Sequence, residues 1–252
     1  MRYYFLLGFL PELRRDQRLI KFTLEDLTGE SYHIAPADWR EIELVLLHGD
    51  VFMVEKLLSG ESARLSYSVF PPAFWQEQVK SLKEGPEFIL EFLQSLETGA
   101  WGPREVDQLY VAYYKHVLAA SHNRFLTDYI QLEWDVRNVM AGIRARRKGL
   151  DPSEHVSGEG DLVEILSTSR AEDFGLTAQR PWVEPLLSAT PPPAIREVQE
   201  IILWDYLDDV LGWDAFSLES LLAYSLKLRI LERRLAQSEE QGLALVNRLE
   251  GR

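Results

Sequence analysis

The chain has 252 residues, a hydrophobic content of 46% and no cysteine. This length and content suffice for one large domain or two small ones with a sizeable apolar core. The missing cysteines exclude disulfides, thiolate metal sites and a cysteine nucleophile, and they fit the cytoplasm. With 40 acidic and 27 basic residues the net charge is −13, which disfavours nucleic acid and favours basic partners. It also disfavours anionic lipid as a primary ligand, except at local clusters such as Arg144, Arg146, Arg147 and Lys148.

The amino terminus, MRYYFLLGFLPELRRDQR, contains an apolar run that ends at Pro11 and meets a basic cluster. The run is too short to span a bilayer, so we expect neither a signal peptide nor an anchor. Tyr3, Tyr4 and Phe5 favour β structure, which predicts a buried opening strand. The stretch RLSYSVF has a second, weaker strand pattern.

Helical periodicity begins at Pro36 and continues to Gly60, as one helix or a broken pair. A further helix is expected from about Pro86 through EFILEFLQSLE to the breaker TGAWGP. This breaker divides the chain into a predicted N-terminal helical region, residues 1–100, and a C-terminal helical region, residues 101–252. The two regions are also compatible with one continuous domain.

Two long amphipathic helices follow, REVDQLYVAYYKHVLAA and HNRFLTDYIQLEWDVRNVMAGIRARRKG, with a kink expected near Ser121 to Asn123. Short helical pieces and a proline linker precede two final helices, from about Ile195 to Leu211 and from Leu218 onward, with Ser217 as N-cap. The fold class is therefore mainly α, a multi-helix bundle with a minor β element near the N-terminus. The last helix carries an apolar seam that favours an internal helix partner: Leu221, Tyr224, Leu228, Leu231 and Leu235.

The helix around residues 129–149 has two apolar faces and one polar edge. Asp135, Asn138, Gly142 and Arg146 share that edge. The glycine permits close approach of another backbone, and the polar groups can bond to it. This pattern favours a hydrogen-bonded contact within the protein over a groove for a partner.

The tail of the same helix, RARRKG, contains four cations: Arg144, Arg146, Arg147 and Lys148. Such a cluster can neutralise phosphates. Cations also complement the dipole at a helix C-terminus, and Gly149 is a natural stop. Since no aromatic stacking platform accompanies the cluster, the sequence predicts a helix end and no nucleic-acid binding.

Catalytic candidates are few. His116, His122, Asp128 and Glu133 lie close in sequence, yet the two histidines point to different helix faces, and the zinc motif His-Glu-x-x-His is absent. Neither phosphate-binding glycine motif occurs, and there is no Gly-x-Ser-x-Gly elbow. We therefore predict no catalytic residue, no metal and no cofactor.

A weak internal repeat relates LLHGDVFMVEKLLSG to IQLEWDVRNVMAGIRAR. Both segments have an aspartate near the middle, Asp50 and Asp135. Met53 stands where the second copy has Asn138.

The run from Arg104 to Leu150 resembles the recurring helical unit of the C/d subunit family of V- and A-type rotary ATPases. In that unit a Leu/Val-Asp-x-x-Tyr helix precedes one with Asp-x-x-Asn, followed by a basic segment and a glycine. The matching positions are Val106, Asp107, Tyr110, Asp135, Asn138, Arg144, Arg146 and Gly149. The beginning, YYFLLGFLPEL, and the end, FSLESLLAYSLKLRILERR, are more similar to a shorter bacterial family of unknown function that accompanies V-type ATP synthase genes.

The resemblance implies a non-catalytic helical subunit that is cytoplasmic and reaches the membrane through protein partners. Those partners are the membrane rotor ring, on which it sits, and the central stalk, whose foot it receives. Two departures are the shorter length and Met53 in place of an asparagine. The alternatives are an independent helical adaptor and, less favoured, a metal-dependent helical hydrolase.

Overall fold

A computed structural model describes residues 2–61, 67–96, 101–190, 192–209 and 214–250, with side chains throughout except at 192–193 and 238–250. Within these ranges the chain forms eleven α-helices, two short 3-10 helices and no strand. The prediction of a mainly α protein is confirmed.

The helices are, in chain order, α1 Tyr4–Phe9, α2 Leu24–Gly29, α3 Pro36–Leu58, α4 Pro72–Ser81, α5 Glu87–Ser95, α6 Pro103–Ala120, α7 Arg124–Arg147, α8 Asp161–Thr168, α9 Val183–Ser188, α10 Pro192–Asp209 and α11 Leu218–Glu250. The 3-10 helices are Ser31–His33 and Pro152–Glu154. Helix α3 is unbroken, and the predicted kink at 121–123 is a full break between α6 and α7.

The predicted opening strand is wrong, because residues 4–9 form helix α1. Tyr3 is buried, its backbone N–H donates to the carbonyl of Phe216 at 2.7 Å, and its carbonyl accepts from Leu7. The chain therefore turns into a helix directly after this anchor. No strand lies beside it in the described residues, so the β preference of its aromatic side chains is overridden. In RLSYSVF, residues 67–70 are irregular, and residues 62–66 lie outside the described residues.

The chain divides into two compact units, Met1–Leu126 with Leu211–Arg252, and Thr127–Val210. The sequence predicted regions 1–100 and 101–252 instead. The first unit includes the last helix because α11 packs against α2 and α3. Such a return of the chain is a long-range contact that periodicity does not indicate.

The first unit is built around α3, which packs against α4, α6 and α11. Leu221, Leu228 and Leu231 of the α11 seam are fully buried, which confirms the internal partner. Glu232 of α11 also accepts a 2.6 Å hydrogen bond from the backbone of Leu24 at the start of α2. A buried carboxylate at a helix N-terminus is favourable, so the bond holds α2 to α11.

The second unit has one apolar core, to which α7 contributes four buried side chains. The fully or nearly buried members from all its elements are Val136, Val139, Met140, Ile143, Leu162, Leu166, Phe174, Leu176, Val183, Leu186 and Ile202. Burying each such side chain is worth about 1.5 to 3 kcal/mol over leaving it exposed. The polar edge of α7 lies beside this core.

None of the helices in the described part of the chain has both the length and the hydropathy that crossing a bilayer requires.

Candidate functional site on helix α7

Asn138 binds the backbone of Ser157 on both sides of its amide. Its Nδ2 donates to the Ser157 carbonyl at 2.8 Å, and its Oδ1 accepts from the Ser157 N–H at 2.9 Å. The Ser157 hydroxyl donates to the same Oδ1 at 3.2 Å and accepts from the Trp134 indole N–H at 3.0 Å. These bonds fix the loop after α7 to the helix, in the kind of contact that the sequence favoured.

Gly158 completes this attachment. A Cβ at this position would lie 2.6 Å from Cζ2 of Trp134, and the backbone φ is +91°. Only glycine suits both conditions. The loop can therefore lie directly on the indole ring.

Asp135 contacts two side chains, those of Gln131 and Arg180. Its carboxylate accepts from Gln131 Nε2 at 2.8 Å and lies 3.5 Å from Nη2 of Arg180. Its side chain is 15% exposed. Burial raises the pKa of Asp135, while the bond to Gln131 and the charge of Arg180 lower it. The carboxylate thus remains reachable at the surface.

An open pocket of about 290 Å³ lies between Asp135, Asn138 and the loop that follows Ser157. Glu159 and Asp161 add two exposed carboxylates to its lining, and Arg180 is its one cation among the described residues. The lining is therefore acidic and partly desolvated. Such a pocket suits a guanidinium or ammonium group presented by another protein.

The space beside Gly142 is occupied by side chains of other residues, and the prediction that another backbone approaches this glycine is wrong. A Cβ on Gly142 would lie 3.1 Å from Cζ of Phe174 and 3.5 Å from Cδ2 of Leu166. The Phe174 ring fills this space and is buried, and the backbone at residue 174 has φ +58°.

Arg146 holds the loop that carries Phe174. Its guanidinium stacks on the Phe174 ring, with Cζ 3.4 Å from the ring centroid, and donates to the carbonyls of Ser169 and Ala171. Arg147 donates to the carbonyls of Leu187 and Ala189 at 2.5 and 3.1 Å. Both guanidinium groups thus bind backbone within this unit, where a phosphate site would leave them open.

The end of α7 has the predicted stop. Gly149 has φ +70°, and the N–H of Leu150 donates to the carbonyl of Ala145 at 2.9 Å, a pairing typical of a glycine-terminated helix. Arg144 is exposed on the last turn. The RARRKG tail is accordingly a helix end that also holds two neighbouring loops.

Asp107 and Tyr110 lie on α6 in the first unit, whereas the other predicted site residues lie in the second. The Tyr110 hydroxyl donates to Glu55 of α3 at 2.7 Å, and Asp107 is half-buried one turn earlier. Only Asp135 and Asn138 share the pocket.

Sequence reasoning did not single out Asp50 as a structural site. Its fully buried carboxylate on α3 accepts from the backbone of Val69 and Phe70 at 2.8 and 3.0 Å, and from Trp75 Nε1 at 2.7 Å. Burial raises its pKa to about 6, although the hydrogen bonds oppose this rise. The available signal was a charged residue inside the apolar run LLHGDVFMV.

Asp50 uses its side chain as Asn138 does. Each is a polar residue on a long helix that binds the backbone of a later loop, beside a tryptophan that joins the same network. The repeat aligned Asp50 with Asp135, so the residues with the shared role lie three positions apart in that alignment. Met53, at the position of Asn138 in the alignment, is buried and apolar. In this segment Asp50 makes the contact with loop backbone that Asn138 makes in the other.

The predicted metal candidates lie in ordinary packing positions. His116 stacks on Phe88 with a centroid distance of 4.5 Å, and burial lowers its pKa. The backbone N–H of His122 donates to Glu41 at 2.9 Å. No group of three histidines or carboxylates suited to a metal occurs among the described residues.

The fold and the α7 site define a mainly helical protein in which a polar helix edge attaches loops to a core. The chain belongs to the family described as protein of unknown function (DUF2764), whose sequence profile matches residues 1–251. Comparisons with curated proteins and with solved structures gave no match.

Proposed function

We propose that this protein is a non-catalytic structural subunit of a V-type ATPase or ATP synthase. It would couple the central stalk to the membrane rotor ring, in the cytoplasm and peripheral to the membrane through those subunits. The observation that carries the proposal is the order of motif residues along α6 and α7, from Val106 to Gly149, which resembles the C/d subunit unit. The motif lies on two consecutive helices, as that unit does.

The use of the motif side chains supports a scaffold role. Asn138 and Arg146 both bind backbone of neighbouring loops. A coupling subunit transmits force, so it needs loops that are fixed to long helices, and these bonds provide that rigidity. A scaffold role requires no catalytic side chain.

The acidic pocket beside Asp135 is the contact that we propose for a basic partner side chain. Three carboxylates and one guanidinium line it, in a chain of net charge −13. Complementary charge raises association rates and weakens with salt. An independent helical adaptor is the second candidate, because the same pocket suits a basic group on any protein.

The test is calorimetric binding to reconstituted stalk subunits at low and at physiological ionic strength. We expect binding that weakens as salt rises and that weakens further when Glu159→Gln and Asp161→Asn are combined. The matched control combines Glu172→Gln and Glu184→Gln, two exposed acids of the same unit outside the pocket lining. Absence of stalk and ring binding, with co-purification of unrelated proteins only, would favour the adaptor.

A further inference from the structure

Exposed large hydrophobic side chains are concentrated near the start of the chain. In the described part of the protein, five of the six lie between residues 4 and 32. Phe5, Leu19 and Tyr32 are 69%, 73% and 74% exposed. Scattered exposed apolar residues need no explanation, but a concentration of protruding aromatic rings marks an interaction site.

The aromatic rings form one continuous row within the first unit. The distance between ring centroids is 4.0 Å for Tyr32 and His33, 5.1 Å for His33 and Phe5, and 5.7 Å for Phe5 and Phe9. The ring centroids of Phe9 and Phe22 are 6.0 Å apart. Helix α1 buries only Leu6, so its Phe5 and Phe9, one turn apart, face outward. We call Phe5, Phe9, Phe22, Tyr32 and His33 the aromatic row.

A basic loop begins and ends at this row. Residues 10–21 connect Phe9 to Phe22, whose rings are in contact, so the loop leaves the row and returns to it. Its base is held to α11, where Tyr224 donates to the carbonyl of Pro11 at 3.1 Å and Arg234 donates to that of Gln17 at 2.7 Å. Leu19 protrudes from it.

The charge of this region is opposite to that of the rest of the chain. The basic loop, residues 10–21, contains four basic and two acidic side chains, a net charge of +2, whereas the other residues sum to −15. At the other end of the aromatic row, Glu30 lies 3.5 Å from His33, so the positive charge belongs to the loop. Arg18 and Lys21 are exposed and form no salt bridge with a described residue. Because fields between exposed charges are screened beyond about 8 Å at physiological salt, the local positive charge governs a contact made here.

We propose that the aromatic row and the basic loop form a docking surface for an anionic lipid membrane. The phenyl rings and Leu19 would enter the boundary between headgroups and acyl chains, while Arg18 and Lys21 meet lipid phosphates. The tyrosine hydroxyl of Tyr32 remains in the headgroup layer, as interfacial tyrosines do.

The protrusion of these side chains favours a membrane over an acidic protein. A protein partner would need rigid cavities to receive rings that are about 70% exposed, whereas a fluid bilayer adapts to them. This inference does not depend on the role in an ATPase. Stalk binding and lipid binding are measured separately, so either proposal can fail alone.

The test is co-sedimentation of the full chain with vesicles of phosphatidylcholine alone and of phosphatidylcholine mixed with phosphatidylglycerol. We expect binding to the anionic vesicles only, weakening as salt rises. Combining Phe5→Ser with Phe9→Ser should lower the partition coefficient by about tenfold or more, since two apolar side chains no longer enter the bilayer. Combining Arg18→Gln with Lys21→Gln should lower it by about tenfold.

Matched controls exist on the same chain. Leu150→Ser removes an apolar side chain that is 47% exposed, against 46% for Phe9, and should leave binding unchanged. Arg40→Gln with Lys148→Gln removes two exposed cations outside the basic loop and should also have little effect.

Three outcomes would overturn the proposal. The first is no binding of the wild-type chain to anionic vesicles. The second is equal loss of binding in the control variants. The third is displacement from vesicles by free glycerol phosphate at concentrations comparable to the lipid, which would indicate a soluble phosphate site.

Discussion

The side-chain amide of Asn138 pairs with the backbone N–H and the backbone carbonyl of Ser157, 19 residues later in the chain. The two bonds reproduce the reciprocal pairing of neighbouring strands, with a side chain in place of one strand. Asn138 is 4% exposed, so its amide has these backbone groups as partners in place of water. The helix edge and its loop are therefore one structural element.

Asn138→Leu should lower the free energy of unfolding by about 1 to 3 kcal/mol, because it leaves the N–H and carbonyl of Ser157 without these partners. Urea unfolding measures the loss, and hydrogen exchange at the Ser157 amide should accelerate in the same variant. Gln131→Leu is the control, since its bond to Asp135 is exposed and should cost much less. Unchanged stability with weakened stalk binding would instead assign this edge to an interface.

Arg146→Gln should destabilise the second unit by about 1 to 2 kcal/mol, because the variant loses the contact with the Phe174 ring and the bonds to two loop carbonyls. Thermal unfolding measures the loss. Lys148→Gln removes the same charge two residues later, at an exposed position, and should be nearly neutral.

A variant with all three arginines of RARRKG changed to Gln tests the assignment of this segment as a helix end. Titration of labelled duplex DNA or RNA should show no binding by the wild-type chain and none by Arg144, Arg146 and Arg147 changed together to Gln. Tight, salt-sensitive binding that is lost in this triple variant would make the cluster a phosphate site.

Local periodicity predicted the helices because each helix buries a face whose spacing is visible in the chain itself. It failed at α1, where burial of Tyr3 and Leu6 decides the conformation against the β preference of the rings. The contacts of Tyr3 are not local, since its backbone N–H donates to the carbonyl of Phe216 and its hydroxyl donates to Asp38. A six-residue helix held by distant partners has no sequence pattern of its own.

The polar edge of α7 was predictable, because the apolar residues of the helix define two buried faces and the polar residues lie on the part of the surface between them. Its partners were not, since Ser157 and Phe174 come from loops whose path depends on tertiary packing. Asp50 was missed for the opposite reason. Residues 44–54 of helix α3 are all buried, so no polar edge drew attention to the carboxylate at residue 50.

Gly49→Ala should be strongly destabilising, by about 2 kcal/mol or more. A Cβ there would lie 1.9 Å from the backbone oxygen of Tyr67, so the segment that follows must shift away from α3. Gly8→Ala is the matched control, because it is a helical glycine with no atom within 4 Å of its added Cβ. It should be neutral or stabilising, by up to about 1 kcal/mol. Chemical denaturation of both variants decides the point, and equal stability would contradict the tight contact.

Asp50 should make stability fall as pH rises from about 4 to about 7. Its pKa is raised from 3.8 to about 6 by burial, so the folded state binds the proton more tightly than the unfolded state does. Its contribution is thus fully present below pH 3.8 and is lost as pH passes through about 6. A rise of the pKa from 3.8 to about 6 corresponds to a contribution of about 3 kcal/mol.

The measurement is urea unfolding of the wild-type chain and of Asp50→Asn between pH 4 and pH 7, with the difference taken at each pH so that other titrating groups cancel. The stability of the wild-type chain relative to the variant should decline across this range. Asp26→Asn, measured below pH 4 as well, provides a contrast of opposite sign, because bonds to Thr23 lower the pKa of Asp26 from 3.8 and its contribution is lost as pH falls below that value. A difference between wild type and Asp50→Asn that stays flat with pH would show that the three hydrogen bonds to the carboxylate fully offset its burial.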